Sequence, residues 1–128
     1  MQIYDLYWLY YDYQSGKNKD NIKKRPVLVI DKGRVISLAL EVEGHKPVIN
    51  DDHWEYPIEK WKEAGLKKPC TIIFTESNIV GSDLPKHDYI GHLSDFDIEN
   101  IEIMLKTMPQ HLQDKNIILK QLIQKYYK

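Results

Sequence analysis

Lys23-Lys24-Arg25-Pro26-Val27-Leu28-Val29-Ile30 passes from a basic cluster directly into an apolar run, and the rest of the chain is read outward from this junction. Val27 to Ile30 has the β-branched, apolar character of a buried strand. Pro26 fixes the backbone at the strand's start, so the guanidinium of Arg25 is held where a phosphate could meet it. Upstream, Ser15 to Asn21 is polar and turn-rich, and reads as a loop with nothing to bury. Downstream, Asp31-Lys32-Gly33 reads as a tight hairpin leading into a second apolar run, Val35 to Val42.

Further strands are expected over residues 3 to 13, which are apolar or aromatic on both faces, over Cys70 to Thr75 and over Tyr89 to Leu93. Pro57 to Ala64 reads as a short inserted helix, with Pro in its first turn and Gly65 after its end. Ser94 and Asp97 have the spacing of a capping box, predicting a helix to about Thr107 that buries Phe96, Ile101, Met104 and Leu105. Pro109 ends it, and a second amphipathic helix carrying Ile117, Ile118, Leu119, Leu122 and Ile123 is expected in the tail. Strands first and helices last define a mainly β, α+β fold: a small barrel or sheet with appended helices. Residues 1–107 are expected to form this barrel or sheet domain, with 108–128 a helical extension packed on it.

At 128 residues with 42% hydrophobic and 29% charged, the chain has the length and balance of one globular domain. No stretch is long and apolar enough to span a bilayer, and the start lacks the pattern of a leader. A single cysteine, Cys70, excludes an internal disulfide; it reads as a buried structural thiol, and the expected compartment is the cytoplasm. Net charge is −1, but Gly16 to Arg34 carries seven Lys/Arg against two Asp, and Glu41 to Glu59 six acids against Lys46. One region suits an anion and the other a cationic partner.

Four stretches together carry a resemblance: Lys24 to Ile30; Tyr56-Pro57-Ile58 with Trp61; Ala64 to Pro69; and Ile90-Gly91-His92-Leu93 with Asp97. In this order they resemble the PemK/MazF-like toxins of type II toxin–antitoxin systems, over roughly residues 1 to 107. The resemblance implies an SH3-like barrel, a homodimer, and single-stranded RNA bound in a groove at the subunit interface. It implies cleavage without a metal or other cofactor, by attack of a ribose 2′-hydroxyl on the neighbouring phosphate, and neutralisation by a small antitoxin protein. Arg25 matches the family's catalytic arginine.

The family also places a Thr or Ser near the end of the strand after the hairpin. Here that strand reads Leu38-Ala39-Leu40-Glu41-Val42-Glu43-Gly44-His45, and the resemblance aligns Glu41 with the hydroxyl position, making it the second catalytic candidate in place of the expected residue. Ser37 carries a hydroxyl on the same strand but lies four residues away, roughly 13 Å along it, and is set aside. Lys23 and Lys24 are candidate phosphate contacts, Tyr13 a candidate base contact, and His45, with His53, a candidate for acid–base chemistry or RNA contact. His87, His92 and His111 lack metal-ligand spacing, and no metal is expected. The departure at Glu41 motivates an alternative: a binding module on the same barrel that engages RNA or a protein and cuts nothing.

Overall fold

The computed structural model describes residues 2–12, 22–40, 49–50, 53–74, 79–81 and 87–127. The fold is α+β, with antiparallel sheets followed by helices. Strands β1 (Asp5–Asp12), β2 (Ile22–Asp31), β3 (Arg34–Ser37), β7 (Ile79–Gly81) and β8 (His87–His92) form a five-stranded sheet in the order β7-β3-β2-β1-β8. Strands β4 (Ala39–Leu40), β5 (Glu55–Pro57) and β6 (Cys70–Ile73) form a three-stranded sheet in the order β4-β6-β5. Helices α1 (Asp95–Thr107), α2 (Gln110–Gln113) and α3 (Ile117–Tyr126) follow.

The opening stretch sits at the centre of the larger sheet, which explains its composition. Leu28 and Ile30 face the main core with Leu6, Ile36, Ile72, Ile101, Leu119 and Ile123. Val27 and Val29 face the opposite way, in a second cluster with Tyr7, Leu9 and Val35. Both faces of β2 are therefore buried, and a strand buried on both faces reads as continuous apolar sequence. The hairpin after it turns through Lys32 and Gly33, whose φ of 74° is the left-handed conformation that favours glycine.

The expected single strand from Val35 to Val42 is interrupted. Val27 pairs with Ser37, and the Leu38 N–H still reaches the Pro26 carbonyl at 3.0 Å. Ala39 and Leu40 then pair with Thr71 and Cys70 in the other sheet. The physical reason lies in Pro26: at this register an N–H there would be the donor for the Leu38 carbonyl, and proline has none. The ladder ends where its next bond is missing, and the chain changes sheets with Leu38 buried at the corner.

Three expectations require correction. Pro57 closes a strand instead of opening a helix, because sheet pairing runs on to Ile58, whose N–H bonds the Cys70 carbonyl at 3.0 Å. The segment 59–65 is a run of turns with bonds of mixed span, Ala64 to Lys60, Gly65 to Lys62 and Leu66 to Trp61. Phe96 is 51% exposed. At 100° per residue it lies 140° from Ile101 around α1, outside the buried stripe of Asp97, Ile101 and Leu105. The tail holds two helices, α2 and α3, separated at Asn116, whose side chain accepts from the Leu119 N–H and caps α3.

Helix α3 is fastened at its far end. Tyr126 Oη donates to Asp31 Oδ1 at 2.5 Å, Lys125 Nζ donates to the same oxygen at 3.3 Å, and the Tyr127 and Tyr4 hydroxyls are hydrogen-bonded. Burial pushes the Asp31 carboxyl up, but the bonds from Tyr126, the Lys32 N–H and Lys125 together hold it below the ordinary carboxylate range. A carboxyl depressed in the folded state adds stability that is full above its unfolded pKa, about 3.9, and is lost as pH falls through the folded value. The melting temperature should therefore fall on acidification below about pH 4, and less steeply in Asp31→Asn. Equal acid slopes in thermal melts would show that Asp31 does not hold α3.

Candidate nucleic-acid interface

Strand register decides which side chains share a face of the larger sheet with Arg25. Leu9 stands opposite Arg25 on one side and opposite His87 on the other. One row up are Tyr89, Tyr7, Val27 and Ser37, and above them His92 and Asp5. Leu9, Tyr7, Val27, Val29 and Val35 form the buried floor of this face. Arg25 is exposed at its edge, while Pro26 and Val27 immediately after it are buried. The guanidinium is thus carried by a backbone fixed in the middle of a sheet, and its reach is set by the side chain alone.

Among the described residues, Ser37 carries the serine or threonine hydroxyl nearest to Arg25 by register. It is the last residue of β3, opposite Val27, so it lies diagonally across from Arg25 on the same face. Diagonal neighbours on an antiparallel pair are about 7–8 Å apart at Cα, within reach of a long side chain or of one shared phosphate. β3 ends at Ser37, and the chain then passes to the other sheet, so Ser37 is the last residue of the strand after the hairpin. Glu41, Tyr13 and His45 lie outside the described residues. Lys23 and Lys24 occupy β2 opposite Tyr11 and Tyr10.

One carboxylate–imidazole pair on this face does not follow from any local sequence pattern. His92 Nδ1 lies 2.8 Å from Asp5 Oδ1, and the other Asp5 oxygen accepts the Gln2 N–H at 2.7 Å. Burial raises the Asp5 pKa, and the bonds from Gln2 and His92 more than reverse it, leaving the carboxyl below its ordinary value. His53 makes a similar pair with buried Glu55 at 2.7 Å, on the smaller sheet. His111 is exposed on α2. Cys70 is buried, its thiol directed at the Lys68 carbonyl. Among the described residues no group of three or more His, Cys, Asp or Glu is placed to hold a metal ion, and no helix is long and apolar enough to cross a membrane.

Beneath the site, the stretches that carry the family resemblance work as architecture. Asp97, fully buried, accepts from Tyr56 Oη at 2.6 Å, from the Glu59 and Lys60 N–H groups at 2.9 Å each and from Ser94 Oγ at 3.1 Å. It ties α1 to β5 and to the turns that follow. Its hydrogen bond pushes the Tyr56 hydroxyl further above the ordinary phenol range, after burial, which is the larger cause. Gly65 and Gly91 let the turn segment and β8 touch main chain to main chain. Neither a known protein-family model nor a curated protein matches this chain.

Proposed function

We propose that this chain is the toxin of a type II toxin–antitoxin system: a metal-independent endoribonuclease of PemK/MazF type that cuts single-stranded RNA. In this reading its two sheets are the halves of an SH3-like barrel, it works as a homodimer, and a small antitoxin protein covers the RNA groove. The observation that carries the proposal is Arg25: an arginine within β2, exposed directly before the strand's buried stretch that starts at Pro26, with Ser37 diagonally across on the same face.

The chemistry asks little more of the protein. The ribose 2′-oxygen attacks the adjacent phosphorus while the bond to the 5′-oxygen breaks, leaving a 2′,3′-cyclic phosphate and a 5′-hydroxyl. Charge builds on the non-bridging oxygens as the fifth bond forms. Arg25 offers two parallel N–H donors to those oxygens, and the Ser37 hydroxyl a third. A base must take the 2′-hydroxyl proton and an acid must supply the leaving oxygen. Glu41 retains its place as the candidate base in this proposal, and Lys23, Lys24, Tyr13 and His45 theirs as candidate RNA contacts.

The test is incubation of the purified protein with a long single-stranded RNA in chelator, followed by mapping of the product ends. The expected result is cuts at a short recurring motif, ending in cyclic phosphate. Arg25→Ala should reduce the rate by a hundredfold or more, corresponding to about 3 kcal/mol of lost transition-state stabilisation. Ser37→Ala should slow cleavage by a smaller factor. Intact RNA after incubation with folded wild-type protein would overturn the proposal and favour a binding module that does not cleave.

A further inference from the structure

We propose that His92, oriented by Asp5, and Tyr89 form a second contact point for single-stranded RNA on the Arg25 face, the imidazole holding a phosphate oxygen and the phenol ring stacking on an unpaired base. The inference rests on the ribonuclease reading and adds a subsite to it. Positions 89 and 92 are an odd number apart and in an unbroken strand would face opposite ways. Here the register between β1 and β8 shifts at Leu6/Tyr7: Asp5 pairs with His92, Leu6 with Gly91 and Tyr7 with Tyr89, so that Ile90 is the extra residue. The bulge brings His92 and Tyr89 to the same face.

Each side chain is held from within and open outward. Asp5 is buried, and its two oxygens are taken by Gln2 and His92. With Nδ1–H engaged by Asp5, the outward nitrogen of the imidazole is Nε2, and the His92 side chain is 40% exposed. The ring makes no other hydrogen bond among the described residues, and in the doubly protonated ring Nε2–H is a charged donor suited to phosphate. Tyr89 packs edge-on against buried Tyr7, with centroids 5.4 Å apart and an interplanar angle of 70°, yet it is 61% exposed. An aromatic ring fixed along one edge with its outer surface uncovered is how single-strand binders present a stacking platform.

The position relative to Arg25 favours RNA as the occupant. His87 and Leu9 stand in the row of Arg25, Tyr89 in the next and His92 in the one beyond, all on one face. From Arg25 to His92 is four residues along the sheet and two strands across, on the order of 16 Å. That is too far for two groups to act on one phosphate, and it suits a strand laid over several nucleotides. Asp88, the nearest exposed acid on β8, stands opposite Trp8 and faces away.

The experiment is fluorescence anisotropy of the full-length protein with a random-sequence pool of 2′-O-methyl RNA oligonucleotides, which retain base and phosphate but resist 2′-oxygen attack. His92→Asn keeps an N–H for Asp5 and removes Nε2; Tyr89→Leu removes the ring, and Tyr89→Phe keeps it. His92→Asn and Tyr89→Leu should each weaken binding about tenfold with unchanged melting temperature, and Tyr89→Phe should bind like wild type. Wild-type affinity in both His92→Asn and Tyr89→Leu, alongside weakened Arg25→Ala, would overturn the subsite and leave the ribonuclease reading intact. A lowered melting temperature in His92→Asn without a change in affinity would assign the pair to stability and also overturn it. No binding by the wild type would remove both the subsite and the reading on which it rests.

Discussion

Gly91→Ala should leave little folded protein, although it adds one methyl group. A Cβ built on Gly91 would lie 2.0 Å from the Ala64 carbonyl oxygen and 2.9 Å from its carbon. Both are main-chain atoms, so no rotamer change relieves the overlap. The opposing surface is equally tight: a Cβ on Gly65, whose φ is +99°, would lie 2.6 Å from the Ile90 oxygen. Ordinary overpacking costs about 1–3 kcal/mol, and a clash against backbone on both sides belongs at or beyond the upper end. For a domain whose total stability is of the order of 5–15 kcal/mol, that is a large fraction. Thermal and urea unfolding of Gly91→Ala, Gly65→Ala and the double variant would check this. The singles should both be strongly destabilised and the double by less than their sum, since they strain one shared contact. A wild-type melting curve for Gly91→Ala would contradict the close approach.

Asp97→Ala should lower stability by at least about 3 kcal/mol, because it orphans several donors at once. The buried Tyr56 hydroxyl and the part-buried N–H groups of Glu59 and Lys60 all lose their acceptor; a buried donor left unpaired costs about 1–3 kcal/mol, and the two part-buried ones add less each. The bond from Ser94 Oγ to the carboxylate is lost as well, while the cap bond from the Asp97 N–H to Ser94 Oγ remains. A drop in melting temperature of about 10 °C or more follows for a domain of this size. Asp97→Asn retains one acceptor oxygen but sets an NH2 group against a backbone N–H, so it should fall between wild type and alanine. If Asp97→Ala melted within a degree or two of wild type, the carboxylate would not be what holds segment 59–65 to α1.

These two variants touch sequence motifs on which the proposed function draws, yet neither residue is proposed to meet RNA. Asp97, Tyr56, Gly65 and Gly91 recur in the resemblance as an ordered set of local signatures, and in the structure they are mutual contacts between α1, β5, the turn segment and β8. Such motifs report the architecture. In the proposed function, chemistry enters through Arg25, which is exposed beside the buried part of β2.

Much of the fold was legible residue by residue. The strand from Val27 to Ile30, the Lys32-Gly33 turn and the Ser94 cap with α1 follow from apolar runs, from glycine's tolerance of positive φ and from side-chain capping. All are local preferences that act between neighbours in the chain. Arg25 was legible for the same reason, as a fixed charge followed by a proline and a buried strand. The inserted helix failed because Ile58 finds a sheet partner in Cys70, a contact twelve residues away that no local pattern announces. Phe96 failed through a miscounted helical face.

Local sequence is enough to say which segments are apolar, where the chain turns, and that an arginine directly precedes the apolar run Val27–Ile30, although β2 itself begins earlier, at Ile22. What shares a face with that arginine follows from the packing of distant strands. Ser37 rather than a later residue lies diagonal to it because the missing N–H of Pro26 ends the ladder and sends the chain to the second sheet. Tyr89 and His92 share its side because one extra residue in β8 reverses the alternation of a strand. Both outcomes depend on register between strands far apart in the chain, and a shift of a single residue there exchanges one face of the sheet for the other.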